Sequence, residues 1–546
     1  MWGEPSMRRR TAFACLGFIT AIALAESPPA VAPEAIRAHV EFLSHDLLEG
    51  RAAGTRGYDL AAHYVASRMQ AIGLAPAGDS GSWMQNVPLI QATRDHAASS
   101  LAVRGPDGED RLTPLDDFIG GFQFNKSASR LSAPATYVGF GIHAPELGHD
   151  DFAGIDLAGR IAVVLSGAPA RFPNSQRAHY SSRSKIEGLV ARGAVGIVTV
   201  DTPEEETRSP WARSKQLSWN PRMRLLDAAG MPVDSYPEIL GSASVSAAAA
   251  PRLFAGAPAS ADEVFAAARE ARFRSFELPG KISMALENRL ERLQSANVVG
   301  LLCGSDPALA DEYVVVTAHL DHIGRGDPVN GDDIYNGALD NAAGVAIMLE
   351  SARALAAAAV RPRRSILFVA LTAEERGLLG AYQFTMHPTV PRDALVANVN
   401  NDMPMALFPI GGLTIHGAQH STLGATARAV LAAEGLADLP DPTPEEVVFV
   451  RSDQYPFVRA GIPALFIVTG AMSTDPTVDA TVVRRNFLLH DYHAPSDSTT
   501  LPIHWPSLAR IAAVNVALAR AIADADDRPQ WLPGDFFGTT FGARRE

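Results

Sequence analysis

Four apolar runs between residues 312 and 470 constrain this chain most: EYVVVTAH (312–319), SILFVALTAEE (365–375), ALVANVNND (394–402) and IPALFIVTG (462–470). Each is nearly continuous rather than alternating, which is how a strand reads when both of its faces are buried. Between the first two lies NAAGVAIMLESARALAAA (341–358), whose spacing predicts a helix. Buried strands alternating with helices predict an α/β fold: a mostly parallel central sheet covered by helices on both faces. Sheets of this kind carry their chemistry beyond the carboxyl ends of the strands.

Ligand-type side chains gather at those ends. His319 and Asp321 follow the first strand, within VVVTAHLDHIG (314–324), and Asp340 opens the next helix after GDDIYNG. Glu374 and Glu375 follow the second strand, Asp402 follows the third, and His493 lies in the late loop LLHDYHAPSD. Imidazole nitrogens and carboxylate oxygens suit zinc and other divalent metals. Bound cations would offset the repulsion among crowded carboxylates, and one carboxylate left free could take a proton from an acidified water. Each piece also has an ordinary reading. His-x-Asp is a common local hydrogen-bond pair, adjacent glutamates commonly mark a solvated face, and Asp340 or Asp402 could be only a helix cap. Spacing alone leaves both readings open.

Upstream, IRAHVEFLSHDLLEG (36–50) and YDLAAHYVASRMQAIG (58–73) have helical spacing, with Gly73 a plausible stop. From about 133 to 285 the texture changes. TYVGFG (136–141) and RIAVVLSG (160–167) read as short strands, and KIEGLVARGAVGIVTV (185–200) as a helix, a turn at Gly193 and a strand. The alanine-rich stretch after Gly241 reads as ordinary helices. This reads as a separate small α/β module. At the N-terminus, basic Met7-Arg8-Arg9-Arg10, apolar residues 11–25 and the small-x-small Ala23-Leu24-Ala25 predict a cleaved export signal, too short to span a bilayer. No later segment has eighteen uninterrupted apolar residues. Cys15 would leave with the signal, so Cys303 would stand alone without an intramolecular disulfide. The expected location is periplasmic or secreted. A net charge of −13 and pI near 5.6 argue against a duplex-binding surface, so no nucleic-acid partner is expected.

Six pieces, TAHLDH (317–322), GALDNAAG (337–344), TAEERGLLG (372–380), NND (400–402), SDQYPF (452–457) and YHAPSD (492–497), together resemble the exported di-zinc leucyl-aminopeptidase-like exopeptidases, relatives of the glutamate carboxypeptidases. HVEFLSHDLLEGRAAGTRG (39–57) resembles that family's N-terminal portion, and the 133–285 module resembles an inserted protease-associated domain. The resemblance implies a zinc-exopeptidase fold divided as 1–25 signal, 26–132 and 286–530 peptidase domain, 133–285 insert and 531–546 tail. It implies two Zn2+ per chain, although the donor types alone suit other divalent metals. His319 and Asp402 would hold one ion, Glu375 and His493 the other, and Asp340 would bridge. Glu374 would be the general base, with Asp321 orienting His319 from behind. His322, His387 and His490 match no ligand position and are expected to be structural or on the surface. Where relatives commonly carry Tyr or His after Ser-Asp, this chain has Gln454; Gln454 or Tyr455 is then the expected oxyanion or substrate contact. The implied substrate is a peptide or dipeptide cut at its amino end, with no stable membrane insertion after signal removal. Arg451, Arg484 and Arg485 keep a carboxypeptidase or dipeptidase alternative open, and a non-catalytic peptide-binding protein is the remaining one. The sequence says nothing of the oligomeric state.

Overall fold

The computed structural model describes residues 30–105, 108–270 and 274–542. The expected export signal lies outside the described residues.

The four apolar runs form strands Tyr313–His319, Ser365–Leu371, Leu395–Asn401 and Ala464–Thr469, lying side by side and all parallel. Their side chains alternate between two cores. Val314, Val316, Ile366 and Phe368 face one apolar cluster, while Val315, Leu367 and Val369 face another. Because both faces are buried, the sequence shows no polar alternation. The first face is covered by helices Pro33–Leu43, Arg56–Ile72, Ala343–Ala356 and Trp505–Asp524. The second is covered by Leu379–Met386, Gln454–Arg459 and Phe536–Phe541. Trp505–Asp524 is long and apolar enough to cross a membrane, yet Leu508, Ile511, Leu518 and Ile522 pack into the first core.

The sheet as a whole is mixed rather than mostly parallel. Phe276–Leu302 runs antiparallel to Ser365–Leu371, and Gly412–His416 runs antiparallel to Ala464–Thr469. The insert joins the same sheet through a long antiparallel ribbon, Met84–Gly105 against Phe276–Leu302. One end of Phe276–Leu302 pairs with Ala128–Tyr137, which leads to parallel strands Ile161–Leu165, Gly196–Val200 and Gly241–Val245; the other end pairs with Ser365–Leu371.

Two helices differ from their expected extents. Residues 36–50 are not one helix: Pro33–Leu43 ends early, and Asp46–Arg51 forms a 3-10 segment with Glu49 at φ 48° and Gly50 at φ 68°. The expected 341–358 helix runs Ala343–Ala356 and is preceded by a π-turn, Ala338–Ala342. Gly73 does stop Arg56–Ile72, at φ 89°, a conformation that costs glycine little. The alanine-rich stretch is a strand, Gly241–Val245, followed by the short helices Ala250–Leu253 and Ala261–Arg269, the second closed by a Ser260–Glu263 capping box.

Candidate metal centre

Parallel pairing sets neighbouring strands in register, so their carboxyl ends deliver side chains to one place. His319 ends its strand with Nε2 3.0 Å from Asp402 Oδ1 and 3.2 Å from Asp340 Oδ1. The other oxygen of Asp340 lies 3.2 Å from His493 Nε2, which is also 3.0 Å from Glu375 Oε2. Asp340 therefore stands between two donor groups, one oxygen toward each. It is fixed from behind by Asp497, whose carboxylate accepts the backbone N–H of Leu339 and of Asp340, both at 2.9 Å. The peptide that follows Asp340 is cis. Asp402 is held by the Ser452 hydroxyl, which donates to Oδ2 at 2.6 Å.

Asp321 reaches His319 through its carbonyl, 3.1 Å from Nδ1, while its carboxylate is 3.9 Å away. That carboxylate instead accepts the backbone N–H of Glu374 at 3.1 Å and of Glu375 at 3.4 Å. It thus fixes the turn on which the two glutamates point apart.

Burial would raise the pKa of Glu375, but His493 and His322 hold it well below the usual carboxylate range. Glu374 makes no side-chain hydrogen bond or ion pair among the described residues. Burial, with Asp402, Glu375 and Asp453 nearby, pushes it well above that range although His319 opposes the shift. Burial would lower the pKa of His319 and His493, yet the carboxylates raise both, His493 to about 10. Burial pushes Asp321 up to about 6.

Three further residues belong to the cluster: His322, Asp453 and Tyr492. His322, expected to be structural or on the surface, is fully buried inside the cluster. Its Nδ1 lies 2.8 Å from Glu375 Oε1 and 3.9 Å from Asp340 Oδ2. By hydrogen-bond geometry neither His322 nitrogen nor Glu375 Oε1 has a partner among the described residues. Gly337, at φ +60°, leaves room for the ring; a Cβ there would stand 2.5 Å from His322. Asp453 is fully buried with neither carboxylate oxygen hydrogen-bonded, and burial raises its pKa well above the usual range. The Tyr492 ring lies tilted beside His493, centroids 3.8 Å apart, and burial, followed by Asp340, Glu375, Glu374 and Asp402, raises the pKa of its phenol. Its place directly before His493 was the available signal.

The two residues expected to contact the oxyanion or substrate are turned inward. The Gln454 amide is committed to the interior: its oxygen accepts from Asn400 at 3.0 Å and its nitrogen donates to Phe449 O at 2.7 Å. Tyr455 packs in the second core, 6.3 Å from the Phe537 ring. Both sit on the first turn of Gln454–Arg459, whose apolar face covers the sheet, and this burial removes them from the cluster.

His319, Asp340 and Asp402 form one group able to hold a metal ion, and His322, Asp340 and Glu375 form a second. Buried donors without partners cost free energy unless something satisfies them. A pair of cations would meet that need with nitrogen and oxygen ligands of ordinary type, so the residues fit a di-metal site. Residues 297–519 match the family model of peptidase family M28.

Over those residues the chain matches the M28 peptidases.

An aminopeptidase from Aneurinibacillus sp. strain AM-1 superposes on 90% of this chain and 94% of its own, with a TM-score of 0.53 at 17% identity. In sequence, the mouse aminopeptidase NAALADL1 is 35% identical over 116 residues, and a probable zinc metalloprotease of Pyrenophora teres f. teres is 36% identical over 106. Those stretches cover 20% and 19% of this chain; they span only 14% and 22% of the curated relatives' own lengths. The M28 match begins within the strand Phe276–Leu302 and includes every residue of the two metal-capable groups.

Residues 213–220 touch the segments that carry the cluster. Arg213 donates to the Tyr492 carbonyl at 3.4 Å, and Asn220 accepts from Arg376, next to Glu375. Trp219 lies so close to Gly326 that a Cβ there would stand 2.2 Å from the indole.

Proposed function

We propose that the chain is a metal-dependent exopeptidase that removes amino-terminal residues from peptides. Asp340 carries this reading: one oxygen faces His319 and the other His493, with the unpaired carboxyl of Glu374 beside the cluster. His319 and Asp402 are then the ligands of one divalent cation, and Glu375 and His493 those of the other. His322 lies within reach of the second position, and Asp340 is shared. Zinc suits this donor set. Cations so held supply Lewis acidity, polarising a carbonyl and acidifying water.

Glu374 does the proton work. It accepts a proton from the attacking water and returns it to the leaving amine, a task suited to a carboxyl with a raised pKa. The Asp321 carboxylate keeps Glu374 directed at that water. Tyr492, un-ionised and facing the carboxylates, is better placed than Gln454 or Tyr455 to donate to the carbonyl oxygen. Retention of Glu374 speaks against a purely binding role.

The earlier grounds for a carboxypeptidase weaken. Arg451 pairs with Glu446 at 2.8 Å, Arg484 packs near Asp441 and His416, and Arg485 is exposed. We take residues 133–285 as a protease-associated-like module that bounds substrate access, with 26–132 and 286–530 as the peptidase domain. The basic and apolar pattern of residues 7–25 supports an exported enzyme, periplasmic or secreted.

Matched dipeptides with free and N-acetylated amino ends test the reading, each with zinc-loaded and chelated enzyme. Cleavage of the free-amine substrates alone, lost on chelation and restored by zinc, is expected. Cleavage despite acetylation would replace aminopeptidase with carboxypeptidase or dipeptidase.

A further inference from the structure

Three segments carry the side chains that converge on the second metal position. His322 follows the strand Tyr313–His319, Glu375 follows Ser365–Leu371, and His493 lies in the late loop. Residues 211–221 of the insert touch all three. The Asn220 side-chain oxygen accepts from the guanidinium of Arg376, directly after Glu375, and the Pro221 carbonyl accepts from it at 3.3 Å. The same guanidinium donates to Ile323 O at 3.0 Å, directly after His322. Arg213, in the short helix Trp211–Gln216, donates to the Tyr492 carbonyl at 3.4 Å, directly before His493. Trp219 lies against Gly326, where a Cβ would stand 2.2 Å from the indole. Its ring is also 6.0 Å from that of Tyr335, on the arm that leads to Asp340.

The first position is built differently. His319, Asp402 and Ser452 hydrogen-bond one another, Asp321 and Asn400, all within the M28-matched residues. The docked tip of the insert, by contrast, is incompletely satisfied. Trp219 Nε1 and Arg376 Nε are both shut from water without a hydrogen-bond partner. Each costs free energy that undocking would relieve, so docking needs a stabilising contribution from elsewhere. Arg376 supplies the link. It is buried, and Glu375 and Asp321 favour its charge. A cation on Glu375 would offset one of those carboxylates and leave the guanidinium more dependent on the oxygens of Ile323, Asn220 and Pro221. Two of these three come from the insert.

We propose that residues 213–221 of the insert are positioning residues for the second ion alone. The ion at Glu375, His322 and His493 binds tightly only when this tip is docked, whereas the ion at His319 and Asp402 binds regardless. By linkage, filling the second position tightens the docked tip by the same factor. This coupling rests on the di-metal reading above.

Metal-buffered calorimetry on the stripped full chain measures the two zinc affinities with no substrate present, so the outcome is independent of which peptide is cleaved. Asn220→Ala should weaken one of them about 10–100-fold, the usual effect of removing a residue that supports a ligand from behind, and leave the other unchanged. Asn220→Asp, which keeps an acceptor for Arg376, should retain both. In Glu375→Gln, which removes a ligand of the second position, the remaining ion should be indifferent to Asn220→Ala. Hydrogen exchange read by mass spectrometry gives the reciprocal measurement. Exchange at residues 211–221 should slow on zinc saturation of the unaltered chain and not in Glu375→Gln. Equal weakening of both ions by Asn220→Ala would make the tip a general support and overturn the proposal. Unchanged affinities for both would overturn it as well. Two bound ions that leave exchange at 211–221 unaltered would overturn the coupling alone, and that result needs no variant to fold. Fewer than two ions in the unaltered chain would overturn the di-metal reading and the coupling with it.

Discussion

Adjacent glutamates with opposite shifts are the clearest residue-scale feature of this molecule. Glu375 is drawn down by two histidines, while Glu374, one residue earlier, is pushed up by burial and neighbouring carboxylates. The difference is produced by the turn that Asp321 holds. Glu374→Gln should therefore lower kcat by about 10²–10⁴, the usual contribution of a general base, while metal content by mass spectrometry stays at the unaltered level. Glu375→Gln should lose metal first and activity with it. Full activity in Glu374→Gln would remove it from the proton path. The strand-end ligand types were legible because they sit where an α/β sheet must put its chemistry. His322 was not: its burial depends on Gly337 and on the loop before Asp340 folding over it. The inward turn of Gln454 and Tyr455 was hidden for a related reason, since a polar residue in a helix's first turn gives no sign that its amide is spent inside.

Among the elements, the loops that carry the ligands need something to tie them together. Arg51 does this from the segment after the first helix. Its buried guanidinium donates to Leu320 O at 2.9 Å, Asn336 O at 2.6 Å, Gly337 O at 3.0 Å and also to Leu43 O. It joins the end of Pro33–Leu43 to the loops bearing Asp321 and Asp340, whose charges help keep it ionised. Replacing it with methionine would leave these carbonyls buried and unpaired. Arg51→Met should cost roughly 3–5 kcal/mol in urea unfolding, as when a buried charge network is broken, and Arg51→Lys should recover only part. A loss below about 1 kcal/mol, the range of ordinary surface changes, would contradict the clamp. In the sequence this residue lay in a glycine-rich link, and partners that are all backbone carbonyls leave no trace there. The parallel strands were legible because burial on both faces removes polar alternation. The ribbon of Met84–Gly105 and Phe276–Leu302 was not, because its pairing links residues nearly two hundred positions apart.

For the whole molecule, the centre couples metal, protons and stability. Without metal, Glu375 and Asp340 hold a proton on His493 up to about pH 10 although burial opposes it. An unfolded histidine loses its proton near 6.5. The folded metal-free protein therefore binds more protons between these values, so this group's stabilising contribution is complete below pH 6.5 and is lost as pH rises toward 10. Metal binding must displace the same proton, so affinity rises across the same window. The two effects widen the gap between loaded and chelated protein. At free zinc about 1,000 times its Kd the loaded form should gain about 4 kcal/mol. The Tm difference between zinc-loaded and chelated protein should grow from pH 6.5 to 9 in metal-buffered scanning calorimetry. Titrations in two buffers of different ionisation enthalpy should register proton release on zinc binding near neutral pH. His493→Ala should flatten the Tm trend and reduce the release. A constant Tm gap and no proton release in the unaltered chain would take His493 out of the ligand set and leave His322 as the imidazole of the second position.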